Sequence, residues 1–574
     1  MNRRRFLAVA AVLALGGAVV FARSFQITVL DHEGLKKQAL KQQHHVITVP
    51  GPRGTIRTAD GYILATSVER VAIRVNTANL DYPELFARTA AALLETPSGE
   101  LARRLSGGPK WVWLAKKVPS DVAEEVRLLA ARTVGIVPDF ARIYPQRRLA
   151  APVVGFVGRE ELNTVGRAGF EYRYDAYLTG EPEQYLVVTD AVDRQVRLKR
   201  LRGGRAGYDL ELSINARLQA RCEAALDGAI DDYGAKAASA VVVDPWTGRV
   251  LALASLPSFD PSRYGDSPAE NWRLRPVQDA LEPGSTVKPV IAAAALAGGV
   301  IRDDELFDCT DRGTRVAGHW VRDHVDPGMY TLDEVVVYSA NVGIIDAAAR
   351  VPDRMLWSAF SAFGFGRRSG IDFPAEARGL MPETRSWSRM SSAGFALGQE
   401  LTVSPLQMAM AYAAIANGGW LRKPVLVVSD TGDGQKASDA SATRVLDAKL
   451  ARRLSTMLEG VVTEGTGKLA AVSGYRVAGK TGTAQRAESG TYDDEHHTSW
   501  FAGFLPLPDP RLVIVVAVED PVKRDFWAST VAAPVFAEIA DAAVSILDIP
   551  PAGGGDDGDP RIAHTAKSAA GGSV

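Results

Sequence analysis

The stretch Glu282-Pro283-Gly284-Ser285-Thr286-Val287-Lys288 decides how this chain is read. Pro-Gly breaks the backbone, and an apolar, Ala-rich run from Val290 to Ala297 follows. The pattern predicts a helix over 286–299 with Ser285 in its first turn. Residues i and i+3 share a helix face, so Lys288 lies one turn above Ser285. A helix N-terminus carries partial positive charge and unpaired N–H groups. Those groups suit an oxyanion, and the positive field lowers the proton affinity of a nearby lysine. A serine hydroxyl is a weak nucleophile until an adjacent base takes its proton. A lysine serves as that base only when neutral, which needs burial or a cationic neighbour. Alone, Ser-x-x-Lys carries little weight: about one chance match is expected in a chain this long at ordinary composition.

Two more clusters change that weight. Tyr338-Ser339-Ala340-Asn341 supplies Ser-x-Asn, and Gly479-Lys480-Thr481-Gly482-Thr483 supplies Lys-Thr-Gly. Either alone could be a turn, a cap or the end of an edge strand. All three in this order form the triplet found in serine β-lactamases and penicillin-binding proteins. Ser339 and Asn341 add a hydroxyl and an amide that can relay a proton and hold a substrate amide. Lys480 is a second cation that would help keep Lys288 unprotonated. Gly482 has no side chain, so a peptide can approach the strand edge closely. Period-two alternation puts Thr481 and Thr483 on one face, where both hydroxyls could bind a carboxylate, and sends Lys480 the other way. The backbone N–H groups of Ser285 and Thr483 are the candidate oxyanion hole.

Outward from this centre the chain reads as α+β. Asp209 to Ile214 alternates like a strand, and a helix capped by Asn215 follows. Ser239–Val243 and Val250–Ala254 form a hairpin around Asp244-Pro245-Trp246-Thr247-Gly248. Helices are expected over 286–299, 333–350 and 403–416. Late strands are expected over Tyr475–Gln485, Trp500–Phe504 and Arg511–Val518. Before Gly203-Gly204 the chain is charged and turn-rich. Thr55-Ile56-Arg57 and Tyr62-Ile63-Leu64 make a short hairpin around Asp60-Gly61, and 121–133 reads as a helix.

These residues resemble the class B, monofunctional penicillin-binding proteins, over about residues 23 to 550. Arg53-Gly54-Thr55-Ile56 with Gly61 is similar to the family's first N-terminal box. Arg142-Ile143-Tyr144-Pro145, Gly169-Phe170-Glu171 with Tyr174-Asp175, Gly398-Gln399 and Ser404-Pro405-Leu406-Gln407 also fit. Gly465-Thr466-Gly467 leading to Gly474 and Lys480 looks like the division-type subgroup. Two departures stand out. The first box reads Thr58-Ala59-Asp60-Gly61 where the family continues Asp-Arg-Asn-Gly, and Leu281 stands where an aromatic is frequent.

The resemblance implies a peptidoglycan D,D-transpeptidase with a penicillin-binding/serine β-lactamase-like domain, an antiparallel sheet flanked by helices. It implies that Ser285 attacks the penultimate D-Ala carbonyl of a stem pentapeptide, that D-Ala leaves, and that a neighbouring stem's amine completes the cross-link. It also implies inhibition by β-lactams, no cofactor, septal wall synthesis, and partnership with a SEDS-family glycan polymerase and other division proteins. The implied division is a cytoplasmic end at 1–5, an anchor at 6–22, an elongated N-terminal α+β pedestal at 23–205, a transpeptidase domain at 206–550 and a disordered tail at 551–574. A β-lactamase, a D,D-carboxypeptidase and a β-lactam-binding sensor are the rivals. No glutamate is placed as in class A β-lactamases, and five cytoplasmic residues offer a sensor little to signal with.

Composition and termini agree with an exported globular protein. Of 574 residues, 46% are hydrophobic and 23% charged, which excludes wholesale disorder. A formal charge of -1 gives no field that would favour nucleic acid. Arg3-Arg4-Arg5 precede an uncharged run from Phe6 to Ala22, with Arg23 after it. That charge bias favours a single anchor in the cytoplasmic membrane with the bulk of the chain outside. Val20-Phe21-Ala22 as a cleavage site and Arg3-Arg4-Arg5-Phe6-Leu7 as a twin-arginine-like signal are alternatives, and both also export the chain. Cys222 and Cys309 are expected as isolated buried thiols, with one bridge between them as the alternative. His44-His45 and His496-His497 are expected as solvated loop residues, with no metal.

Overall fold

Ala237–Val243 and Leu512–Glu519 are runs of small and branched residues, the second ending in Glu519, in which every side chain is buried. Strands with no solvent face belong inside a sheet covered on both sides. They pair antiparallel, with Val241 opposite Val515. Around them lies a five-stranded sheet in the order Val250–Leu256, Ala237–Val243, Leu512–Glu519, Thr491–Leu505, Ala478–Glu488. All neighbours are antiparallel. The structure, a computed structural model, describes residues 3–106, 110–160, 163–190, 195–428, 442–488 and 491–551. The expected tail lies outside the described residues from 552 onward.

Alternation by two divides this sheet's side chains between two cores. Ala238, Ala240, Val242 and Ile514 pack with Leu218 of the helix Ala216–Tyr233 and Phe536 of the helix Ala532–Ile546. Val241, Val243, Val513 and Val515 face the larger core, with Ile291 and Met410. Ile291 belongs to the helix Lys288–Ala297, and Met410 to Pro405–Ala416. Ser404 and Gln407 form a capping box that starts the latter.

Three helices depart from expectation. The 286–299 helix is a 3-10 turn, Gly284–Val287, followed by the α-helix Lys288–Ala297 with Pro289 in its first turn. Ser285 therefore sits in the tighter turn before the helix proper. The single helix expected over 333–350 is two, Leu332–Tyr338 and Asn341–Arg350. Ser339 closes the first in a left-handed conformation, φ +67°, and extended Ala340 starts the second. The 121–133 helix is Ser120–Leu129, since the branched residues from Thr133 onward lead into the strand Val134–Ile143.

In the N-terminal part, the long strand Ile63–Asn76 pairs with Trp111–Val118 and Val134–Ile143. A second sheet runs His44–Gly51, Gly180–Thr189, Gln195–Arg202. The expected hairpin forms, with Ile56 opposite Ala65. The altered first box keeps a turn: Asp60 Oδ1 accepts from Ala216 N at 2.8 Å and so ties the turn to the first catalytic-side helix. Of the strand expected at 209–214, only Leu210–Glu211 forms, and it pairs parallel with Ile56–Arg57 of the N-terminal sheet. Beneath this, Arg53 meets Glu171 at 2.8 Å and Asp175 at 2.7 Å, and Arg142 meets Glu171 at 2.6 Å. Arg173 and Tyr174 both reach Asp372 across the joint between the two parts.

The N-terminal helix, Arg3–Phe25, buries none of its residues and is long and apolar enough to cross a membrane. It starts within the expected cytoplasmic end. Cys222 and Cys309 are both buried and unbridged. His44 and His45 open an exposed strand rather than a loop. His497 departs further: it is buried in the strand Thr491–Leu505 and stacks on Phe526 at 4.1 Å.

Candidate active site

Pro283 and Gly284 bend the chain into the serine turn. Gly284 has φ +55°, and an added Cβ would lie 3.1 Å from Thr483 O, so only glycine brings this turn so close to the Lys-Thr-Gly strand. Gly284 N donates to Gly398 O at 3.2 Å, which explains the Gly398-Gln399 pair as a brace for the turn. From the other side, Tyr412 Oη donates to Thr286 O at 2.8 Å and Trp500 Nε1 donates to Glu282 O at 3.0 Å. The turn is clamped by groups from three separate elements. Ser285 itself is partly exposed.

One turn on, Lys288 is fully buried. Its Nζ donates to Ser339 O at 2.7 Å, Ser339 Oγ at 3.2 Å and Asn341 Oδ1 at 2.8 Å. The helix break at Ser339 makes this possible, because the left-handed residue turns both its carbonyl and its hydroxyl toward the amine. Asn341 is held from its other side, where Nδ2 donates to Arg322 O at 2.9 Å.

Gly482 lies where an added Cβ would meet Pro283 O at 2.7 Å and Thr286 N at 3.0 Å. The strand Ala478–Glu488 thus lies directly against the serine turn. Lys480 shares the Gly482 face by alternation, so it enters the same interior without reaching round the strand. It is fully buried, and its Nζ donates to Thr481 O at 3.3 Å. Thr481 and Thr483 take the opposite face, as expected, but both hydroxyls have protein partners. Thr481 Oγ1 lies 2.6 Å from Thr466 Oγ1. Thr483 Oγ1 accepts from Ala528 N at 3.0 Å and keeps its own proton to donate.

Electrostatics follow from this burial. Desolvation pushes the Lys288 amine down to about 7, partly opposed by the Asp323 carboxylate. Desolvation, and then the charge of Lys288, hold Lys480 well below the usual lysine range. A proton on Lys288 therefore disfavours one on Lys480. The Cys309 thiol is pushed up to about 11 by burial, so it stays neutral beside Lys288 at neutral pH. The structure thus gathers Lys288, Ser339, Asn341 and Lys480 around one amine, and sets Ser285, Gly482 and Thr483 along the adjoining turn and strand. Sequence reasoning missed Asp323, Thr466, Tyr412 and Trp500. Of these, only Thr466 stood in a stretch with a motif-like signal, Gly465-Thr466-Gly467.

Comparison with known proteins bears on the same arrangement. Residues 238–541 match the family model for the penicillin-binding protein transpeptidase domain, and residues 48–212 match that for the penicillin-binding protein dimerisation domain. The chain is 31% identical to the probable peptidoglycan D,D-transpeptidase PbpC of Pseudomonas aeruginosa, over 95% of this chain and 96% of that protein. The chain belongs to the class B penicillin-binding proteins. The peptidoglycan D,D-transpeptidase FtsI of Escherichia coli is also 31% identical, over 95% of this chain and 92% of its own. Penicillin-binding protein 3 of Mycobacterium tuberculosis, solved with aztreonam, superposes with a TM-score of 0.67 and 28% identity, covering 88% of this chain and 98% of that one. This penicillin-binding protein accordingly has the transpeptidase fold preceded by a dimerisation-type domain. One N-terminal apolar helix is consistent with a single-pass anchor.

Proposed function

We propose that this protein is a serine-type peptidoglycan D,D-transpeptidase acting in septal wall synthesis and blocked covalently by β-lactams. Ser285 Oγ attacks the carbonyl carbon of the penultimate D-Ala, and its proton passes to the Lys288 amine. The N–H groups of Ser285 and Thr483 hold the developing oxyanion. The C–N bond breaks, and the leaving D-Ala amine takes a proton relayed through Ser339. Asn341 orients the substrate amide, and Thr483 donates its hydroxyl to the terminal carboxylate. Lys480 keeps the Lys288 amine from holding its proton too tightly. The amine of a second stem then attacks the carbonyl of the Ser285 ester and loses its proton to the same base, which returns it to Ser285 Oγ as the C–O bond breaks and the cross-link forms.

The observation that carries this reading is the fully buried Lys288 amine, bonded to both Ser339 and Asn341 and opposed by a second buried lysine. The domain division is proposed at about residue 205, with the N-terminal part as a pedestal. The bulk of the chain lies on the extracytoplasmic side of the cytoplasmic membrane, because Arg3, Arg4 and Arg5 favour staying inside. The proposed partner is a SEDS-family glycan polymerase, with other division proteins.

The deciding experiment is mass spectrometry of the penicillin-treated protein. The adduct is expected on the peptide bearing Ser285, to persist for hours, and to be absent from Ser285→Ala. An adduct elsewhere refutes the site assignment, and release within milliseconds marks a β-lactamase instead.

A further inference from the structure

The helix Asn341–Arg350 has no cap of its own, since the residue before it is Ala340. Its first free N–H groups are satisfied from a distant segment. Asn341 N donates to Asp323 Oδ1 at 2.9 Å, and Val342 N donates to Asp323 Oδ2 at 2.9 Å. The residue next to Asp323 completes the grip, for Arg322 O accepts from Asn341 Nδ2. With Nδ2 tied to a carbonyl, Oδ1 is the atom left to face Lys288. A carboxylate at a helix N-terminus is also favoured by the helix dipole.

Charge points to the same residue. The titratable groups that face the Lys288 amine are Asp323, Lys480 and Cys309. Cys309 stays neutral at neutral pH, and a proton on Lys288 disfavours one on Lys480. Of the groups that favour a proton on Lys288, Asp323 contributes most, ahead of Cys309. A base that must take a proton and return it works best when its affinity matches the operating pH. Burial acting unopposed would make Lys288 too weak an acceptor.

We propose that Asp323 is a positioning residue for transpeptidation, fixing Asn341 against Lys288 and supplying the negative charge that the amine meets. This rests on Ser285 and Lys288 being nucleophile and base.

The test measures the rate of acylation by a fluorescent penicillin, from about pH 5 to about pH 9, with full-length protein in detergent. In Asp323→Asn the acid limb of the profile is expected to move about one unit toward lower pH, with a plateau about tenfold lower. In Asp323→Glu, which keeps the charge but displaces it, the limb is expected to stay and the plateau to fall. An Asp323→Asn limb at the wild-type position overturns the proposal, because a purely structural role would lower the plateau alone. A wild-type plateau in Asp323→Glu overturns it as well, and that variant decides the matter if Asp323→Asn does not fold. Labelling of Ser285→Ala would instead break the underlying reading while leaving the limb comparison as measured.

Discussion

Lys288 donates to three oxygens, and an ammonium can fill all three contacts while a neutral amine fills two and presents a lone pair. Loss of its proton therefore frees the electron pair that Ser285 needs. Burial lowers the proton affinity of Lys288, so the neutral base is present above its folded pKa of about 7 and lost as pH falls through it. Acylation by penicillin should rise about tenfold per pH unit below this point and level off above it, as read from a stopped-flow pH profile. A flat profile across neutrality would remove Lys288 from the role of base. The Ser285–Lys288 pair was legible in the sequence because helical periodicity sets i and i+3 side by side. Asp323 was not, because a lone acid in a loop carries no spacing signal, and its partner lies eighteen residues on, at Asn341.

At the scale of elements, the site is a strand laid against a turn, and Gly482 sets the distance. An added methyl would meet the Pro283 carbonyl at 2.7 Å, and backbone cannot yield as a flexible side chain does. Gly482→Ala should cost about 1–3 kcal/mol in thermal unfolding and lower the acylation rate by about a hundredfold, as the strand moves off the serine turn. Normal acylation in that variant would show that the close approach is dispensable. The Lys-Thr-Gly strand and the central hairpin were legible from alternation and continuous apolar runs. The break at Ser339 was not. The stretch 333–350 reads as one helical pattern, and a left-handed serine is stabilised by what surrounds it, including the Lys288 amine. The face of Lys480 became clear only once the sheet showed which side packs on the turn.

At the scale of the whole molecule, the two parts can be perturbed separately. Glu171 is wholly buried between Arg53 and Arg142. Arg53→Ala would leave that carboxylate with only Arg142 and the Tyr144 hydroxyl, at a cost of about 3–5 kcal/mol. The expected result is a lower melting temperature for the N-terminal part and unchanged labelling of Ser285 by penicillin in protein that stays folded. Loss of labelling at a temperature where the catalytic part remains folded would show coupling between the parts. The residues of this buried network were visible as separate fragments of a family pattern, but pattern gives neither burial nor partner.

The central pairing of the catalytic sheet has a consequence for biogenesis. Ala237–Val243 finds its second neighbour only in Leu512–Glu519, near the other end of the chain. Until that late segment has been synthesised, a strand built to be buried on both faces keeps one backbone edge unsatisfied. Open edges of this kind recruit other chains. A nascent chain arrested before Leu512 should consequently aggregate or be degraded, however complete its catalytic serine and lysines already are.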